Sequence, residues 1–111
     1  MNTLLATVLI GLFGVLGTAK LAAIPAMRSA ARHLGFSVGQ YRMIGALELA
    51  GVAGLALGFT VTPIGVAAAT GLTLLMLGAA AAHLRNRDPL PRVLLPLLVA
   101  ATTATYLLTL P

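Results

Sequence analysis

The stretch RMIGALELAGVAGLAL, Arg42 to Leu57, reads as the start of a membrane-spanning helix, yet Glu48 sits inside it with no further charge in the rest of the span. A carboxylate in a helix this apolar needs a partner, because a lone charge near mid-membrane costs about 2.5–3.5 kcal/mol on insertion scales. The surrounding chain supports the membrane reading. Of its 111 residues, 59% are hydrophobic and 8% charged, and mean hydropathy is +1.04. A soluble domain of this size would need a more charged surface. The expected class is therefore an all-α, polytopic integral membrane protein forming one domain over residues 1–111.

Four apolar runs, at 3–24, 43–62, 63–84 and 93–110, each approach the roughly 20 residues needed to cross the hydrocarbon core. They predict a four-transmembrane-helix up-down bundle. The N-terminal MNTLLATVLIGLFG lacks the basic segment of a secretory signal and reads as a retained first span. The second and third runs meet almost without a polar spacer, which predicts a tight hairpin around Thr62 and Pro63. The connection PAMRSAARHLGFSVGQYR, 25–42, predicts a short interfacial helix between helices 1 and 2, ending near Gly35, with Arg28 and Arg32 facing head groups. His33 belongs to that surface helix. Ser37 followed by Gln40 fits a capping box for the second helix. In RNRDPLPR, 85–92, Asp88 is expected to cap the last helix, with Pro89 and Pro91 in its first turn.

Charge placement predicts orientation. Arg28, Arg32 and Arg42 lie in the first connection and Arg85, Arg87 and Arg92 in the third, while the other connection and both ends carry no Lys or Arg. Basic loops stay on the cytoplasmic side, so both termini are expected outside a cell (inner) membrane. The formal charge of +5 is thereby explained by helix ends, not by a nucleic-acid-binding stripe.

The remaining ionisable groups share one level. Lys20 is about 6 Å inside the cytoplasmic end of helix 1 and Glu48 about 8 Å inside that of helix 2, at 1.5 Å per residue. A short connection makes the two helices antiparallel neighbours, so Lys20 is the expected answer to Glu48. At 4 Å and an effective dielectric near 20, their attraction is of order 4 kcal/mol, enough to offset burial but not to make the pair a large source of stability. Tyr41, Ile44, Gly45, Glu48, Val52 and Leu55 share one helical face, and Leu72, Met76, Ala79 and His83 share another. Thr102, Tyr106 and Thr109 lie along helix 4 at i, i+4 and i+7, and the threonines are expected to bond to their own helix.

There is no cysteine, which excludes disulfides and thiolate metal sites within this chain. HExxH, paired carboxylates, P-loop and dinucleotide motifs are lacking as well. Nor do two histidines on separate elements make a metal or haem motif. Any chemistry of the chain's own would be proton transfer through Glu48, Lys20, Tyr41 or His83, which leaves enzymatic activity open.

The segments AKLAAIP, RMIGALELAGVAGLAL and GLTLLMLGAAAAHLR, in that order, resemble the successive signatures of the DoxX-like family of small membrane proteins, from about Gly11 to Arg85. The resemblance implies a four-helix membrane bundle and an association with redox physiology, since the family is named for a subunit of a thiosulfate:quinone oxidoreductase. Its matching positions are Lys20, Arg42, Glu48 and His83, to which it assigns no settled catalytic role. Three functional readings follow. One is a quinone- or lipid-like ligand beside the Lys-Glu pair, in a redox-linked complex, with Lys20, Tyr41, Arg42, Glu48, Met76 and His83 as candidate ligand contacts and Glu48 and Lys20 as candidates for any catalytic role. Another is a small proton-coupled transporter. Small multidrug-resistance transporters share the length, but carry their carboxylate in helix 1. The third is an accessory subunit in which the pair is a clasp. The expected partners are the bilayer and a second copy or a membrane partner subunit.

Overall fold

The computed structural model describes residues 3–110; Met1, Asn2 and Pro111, which the expected 1–111 domain includes, lie outside the described residues. Within them the protein is all-α, with no strand: α1 (Thr3–Ala22), α2 (Pro25–Leu34), α3 (Val38–Leu57), α4 (Thr62–Arg85) and α5 (Leu90–Leu108). Three of these, α1, α4 and α5, are long and apolar enough to cross a membrane. The 20-residue α3 is not among them. It begins at Val38, five residues before the expected span at 43, and so takes Gln40 and Arg42 into the same helix as Glu48.

Local chemistry sets the boundaries. Ile24 is extended ahead of Pro25, whose fixed φ suits a first helical turn. At the other end of α2, Gly35 adopts φ +82°, a conformation costly for other residues, and its N–H caps the carbonyls of Ala31 and Arg32. Ser37 and Gln40 form a reciprocal capping box at the start of α3: Gln40 N donates to Ser37 Oγ at 3.0 Å and Ser37 N to Gln40 Oε1 at 2.9 Å. The hairpin between α3 and α4 turns at 58–61, earlier than Thr62–Pro63, because Val61 N–H bonds back to Leu57 O at 2.8 Å and leaves Thr62 as the first residue of α4. Asp88 does not cap α5. The cap position is Pro89, with no side-chain cap bond, and the Asp88 carboxylate is held elsewhere, by two histidines.

The packing order is α1 on α3, α3 on α4 and α4 on α5, with α1 and α5 touching only lightly. Each helix buries one stripe at helical spacing, such as Leu9, Phe13, Gly17 and Lys20 on α1 and Gly45, Glu48, Gly51 and Leu55 on α3. Small residues set how closely the axes approach. A Cβ on Gly45 would lie 2.7 Å from both Gly17 O and Lys20 Cβ, so α1 and α3 meet backbone to backbone. Gly54 packs on Ala68 and Gly58 on Gly65 in the same manner, joining α3 to α4. The α4–α5 seam carries a hydroxyl pair, Thr73 Oγ1 to Thr103 Oγ1 at 2.6 Å, with Thr103 fully buried. Thr102 and Thr109 bond to carbonyls of their own helix, Leu98 O and Tyr106 O. Leu4, Val15, Leu84, Leu90, Leu98 and Leu108 point outward, an apolar exterior far beyond what a water-soluble surface of this size carries.

Candidate functional site

The Gly17–Gly45 contact sets the register of α1 against α3. Gly45 lies against Lys20 Cβ and Gly17 against Glu48 Cβ, so each glycine faces the other helix's charged residue and leaves room for Lys20 and Glu48 to reach across to one another. Lys20 Nζ lies 2.5 Å from Glu48 Oε1. Glu48 is 0% exposed and Lys20 9%. Tyr41, two turns before Glu48, places its ring 5.3 Å from the Lys20 ammonium, within cation–π range. Oε1 of Glu48 is thus engaged, whereas its Oε2 is buried and accepts no hydrogen bond from the described residues.

Beside this pair lies a cavity of about 620 Å³. Its walls are mostly apolar, including Leu16 of α1, Ile44 of α3, Leu75, Met76 and Ala79 of α4, and Leu95, Pro96 and Val99 of α5. The polar groups on it are Lys20, Tyr41, Glu48 and His83. A second recess of similar volume, about 620 Å³, adjoins it under α2 and shares Lys20, Tyr41 and His83 as walls, adding Ser29, His33 and Arg92. The two together form an apolar chamber leading to a basic mouth.

Of the six candidate contacts, five line the apolar chamber: Lys20, Tyr41, Glu48, Met76 and His83. Arg42 does not. Its Nε donates to Leu21 O at 2.9 Å, satisfying a carbonyl at the end of α1 that has no helical partner. Arg42 therefore ties α3 to the end of α1 from outside the chamber.

His33 and Asp88 have a part that their separate positions in sequence did not indicate. Asp88 Oδ1 lies 2.6 Å from His33 Nε2 and its Oδ2 2.6 Å from His83 Nδ1. A carboxylate only accepts, so each facing ring nitrogen carries the proton. His33 belongs to α2 and His83 to the last turn of α4, and the bridge fastens the amphipathic helix over the mouth of the chamber. Arg85 supports it, with Nη2 3.4 Å from Leu34 O at the end of α2. The only sequence signal for this bridge was an acidic residue close to one histidine, and that spacing suited a helix cap equally well.

The hydrogen bond from His83, aided by that from His33 and opposed by partial desolvation, holds the Asp88 carboxyl below the usual carboxylate range. A carboxyl with a depressed folded value stabilises the folded arrangement above its unfolded value near 4 and loses that contribution as pH falls through the folded value. We expect α2 to loosen below about pH 4 and to be loose at neutral pH in Asp88→Asn. The chain has no cysteine, so a spin label on Ser29→Cys reports α2 alone. Label mobility unchanged between pH 7 and 3, or unchanged in Asp88→Asn, would remove the bridge from this role.

No curated protein and no solved structure matches the chain. A family model does, that of the DoxX-like family, over residues 4–106. The match runs through all five helices and takes in Lys20, Arg42, Glu48 and His83, the positions that carry the resemblance in sequence. With apolar, span-length helices and this near-complete match, the chain is an integral membrane protein that belongs to the DoxX-like family.

Proposed function

We propose that this DoxX-like membrane protein holds a quinone- or lipid-like amphiphile in the chamber beside Lys20 and Glu48, with its polar head at the pair and its chain against the leucine walls. The observation that carries the reading is the chamber itself. Its volume, about 620 Å³, lies within the range of about 300–1,000 Å³ typical of small-molecule sites. Its lining is apolar with a few convergent polar groups, the composition such sites share.

The reading places α3 across the membrane together with α1, α4 and α5, as a four-helix up-down bundle in the cell membrane, with α2 lying at the interface. Each charge of α3 has an answer that lowers its cost in lipid: Glu48 meets Lys20, and Arg42 meets the Leu21 carbonyl. Contacts between Leu34 and Arg85 and between His33 and Asp88 gather both basic connections at one end. That gathering favours cytoplasmic basic loops and outside termini. Work within a redox-linked membrane complex, as a second copy or beside a partner subunit, accords with the absence of a catalytic motif.

The test is gentle extraction into lipid nanodiscs, followed by mass spectrometry of whatever accompanies the protein. One hydrophobic compound is expected in excess over bulk lipid. It should fall several-fold in Ala79→Leu, which fills the chamber, and in Glu48→Gln. Extracts indistinguishable from bulk lipid in all three proteins would end the reading. The clasp alternative is favoured by one observation, the close Gly17–Gly45 contact, and a charge swap separates the two. Lys20→Glu with Glu48→Lys should restore folding under either reading, but only a clasp would recover ligand-free function.

A further inference from the structure

Glu48 offers two carboxylate oxygens and the protein uses one. Oε1 takes the Lys20 ammonium at 2.5 Å, while Oε2 is buried without a donor from any described residue, on a side chain that is 0% exposed and lines the chamber. His83, on the same wall, donates from Nδ1 to Asp88. An unpaired acceptor on a mostly apolar wall calls for a ligand that donates. A buried acceptor left unpaired carries the full cost of its desolvation, and a carbonyl head group cannot relieve it.

We propose that the Glu48 chamber selects an amphiphile with a hydroxyl head, an aromatic hydroquinone or a prenyl alcohol, over the corresponding carbonyl compound. This rests on the reading of the chamber as an amphiphile site and names the chemistry of the head. Lys20 and the Tyr41 hydroxyl are the chamber's donors. Lys20 gives one of its three N–H donors to Oε1, and Tyr41 can serve as either donor or acceptor, so a carbonyl head would meet a donor but leave Oε2 unpaired, whereas a hydroxyl answers both. The hydroxyl of the ligand gives its hydrogen bond to Oε2, and the aromatic or prenyl body packs on Leu16, Leu75 and Leu95. The selectivity is one of form, so the site would hold the reduced member of a quinone pair and release the oxidised one.

The experiment measures binding to the full chain in nanodiscs under anaerobic conditions. The probes are a short-chain benzohydroquinone, the matching benzoquinone, the hydroquinone dimethyl ether, and a prenyl alcohol with its aldehyde. The hydroquinone should bind at least about tenfold more tightly than the quinone or the ether, since sites built around a polar partner discriminate strongly against analogues lacking it. Glu48→Gln keeps the shape and adds an amide donor, so the preference should shrink or reverse while the quinone still binds. Lys20→Met with Glu48→Met removes the acceptor without leaving a lone charge, and the ratio should approach one. A prenyl alcohol preferred over its aldehyde, with no preference between hydroquinone and quinone, assigns the head to the aliphatic alcohol. Equal or tighter binding of both carbonyl compounds in the unaltered protein overturns the inference and leaves the amphiphile reading standing. Binding of none of the probes, together with empty extracts, overturns both.

Discussion

Lys20→Met should cost about 3–5 kcal/mol of folding stability, the range for breaking a buried pair by removing one partner. Glu48 has no exposure and no second donor among the described residues, so its charge cannot reach water without moving α3 away from α1. Its alternative is to take up a proton, and that caps the loss. Glu48→Met should cost less, because the longer lysine stem can carry its ammonium towards the basic mouth that the chamber shares. The double variant Lys20→Met with Glu48→Met should recover most of the loss, since apolar replacement of both partners is often neutral or stabilising. A thermodynamic cycle by reversible unfolding in mild detergent or by steric trapping in bilayers gives the coupling. If Lys20→Met alone stays within about 1 kcal/mol of the unaltered protein, the level assigned to exposed pairs, the pair does not hold α1 to α3.

Gly45→Ala should be nearly as damaging, by about 1–3 kcal/mol and occasionally more, the usual cost of overpacking a tight contact. The added methyl would meet Gly17 O and Lys20 Cβ at 2.7 Å and Leu21 N at 2.8 Å. Two of those are backbone atoms that no rotamer change can move. Separating the helices enough to fit it would also lengthen the adjacent Lys20–Glu48 contact, so ligand retention should fall along with stability. The internal controls are Gly71→Ala and Gly78→Ala. Nothing stands within 4 Å of a Cβ at either position, and both lie inside α4, where replacing glycine gains about 0.8–1.0 kcal/mol in helix propensity. Opposite signs for Gly45→Ala and Gly71→Ala, read as shifts in thermal unfolding, are the expected result. A neutral Gly45→Ala would mean that α1 and α3 do not meet backbone to backbone.

Gly45 and Gly71 also show where reading along the chain stops. Both are single glycines in apolar helices, alike in sequence context. One is clamped between helices and the other faces outward. Helical periodicity assigns a residue to a face, but which face meets which neighbour depends on the rotation and crossing of every helix at once. The boundaries of α2 and α3 were legible because their determinants are local: Pro25, Gly35, Ser37 and Gln40 act within a turn of themselves. The α3–α4 turn falls a few residues before the expected Thr62 and Pro63, in a stretch where no such marker is present. The turn uses Gly58 to Val61, and no polar residue separates it from the helix before it.

What the sequence determined by itself was the class, the stretches of helix, and the existence of a problem at Glu48, because a carboxylate in an apolar helix must be answered by something. Its depth, set by counting at a fixed rise per residue, pointed to Lys20. The tertiary structure alone decided the rest. It turned Arg42 out of the chamber to the Leu21 carbonyl, and drew His33 and His83, 50 residues apart in number, onto one carboxylate. It also left Oε2 of Glu48 buried beside the chamber with no donor from the described residues. Local signals such as caps and hydropathy act over a few residues and survive in one dimension. A hydrogen bond across 55 positions, from His33 to Asp88, exists only when three helices have been packed.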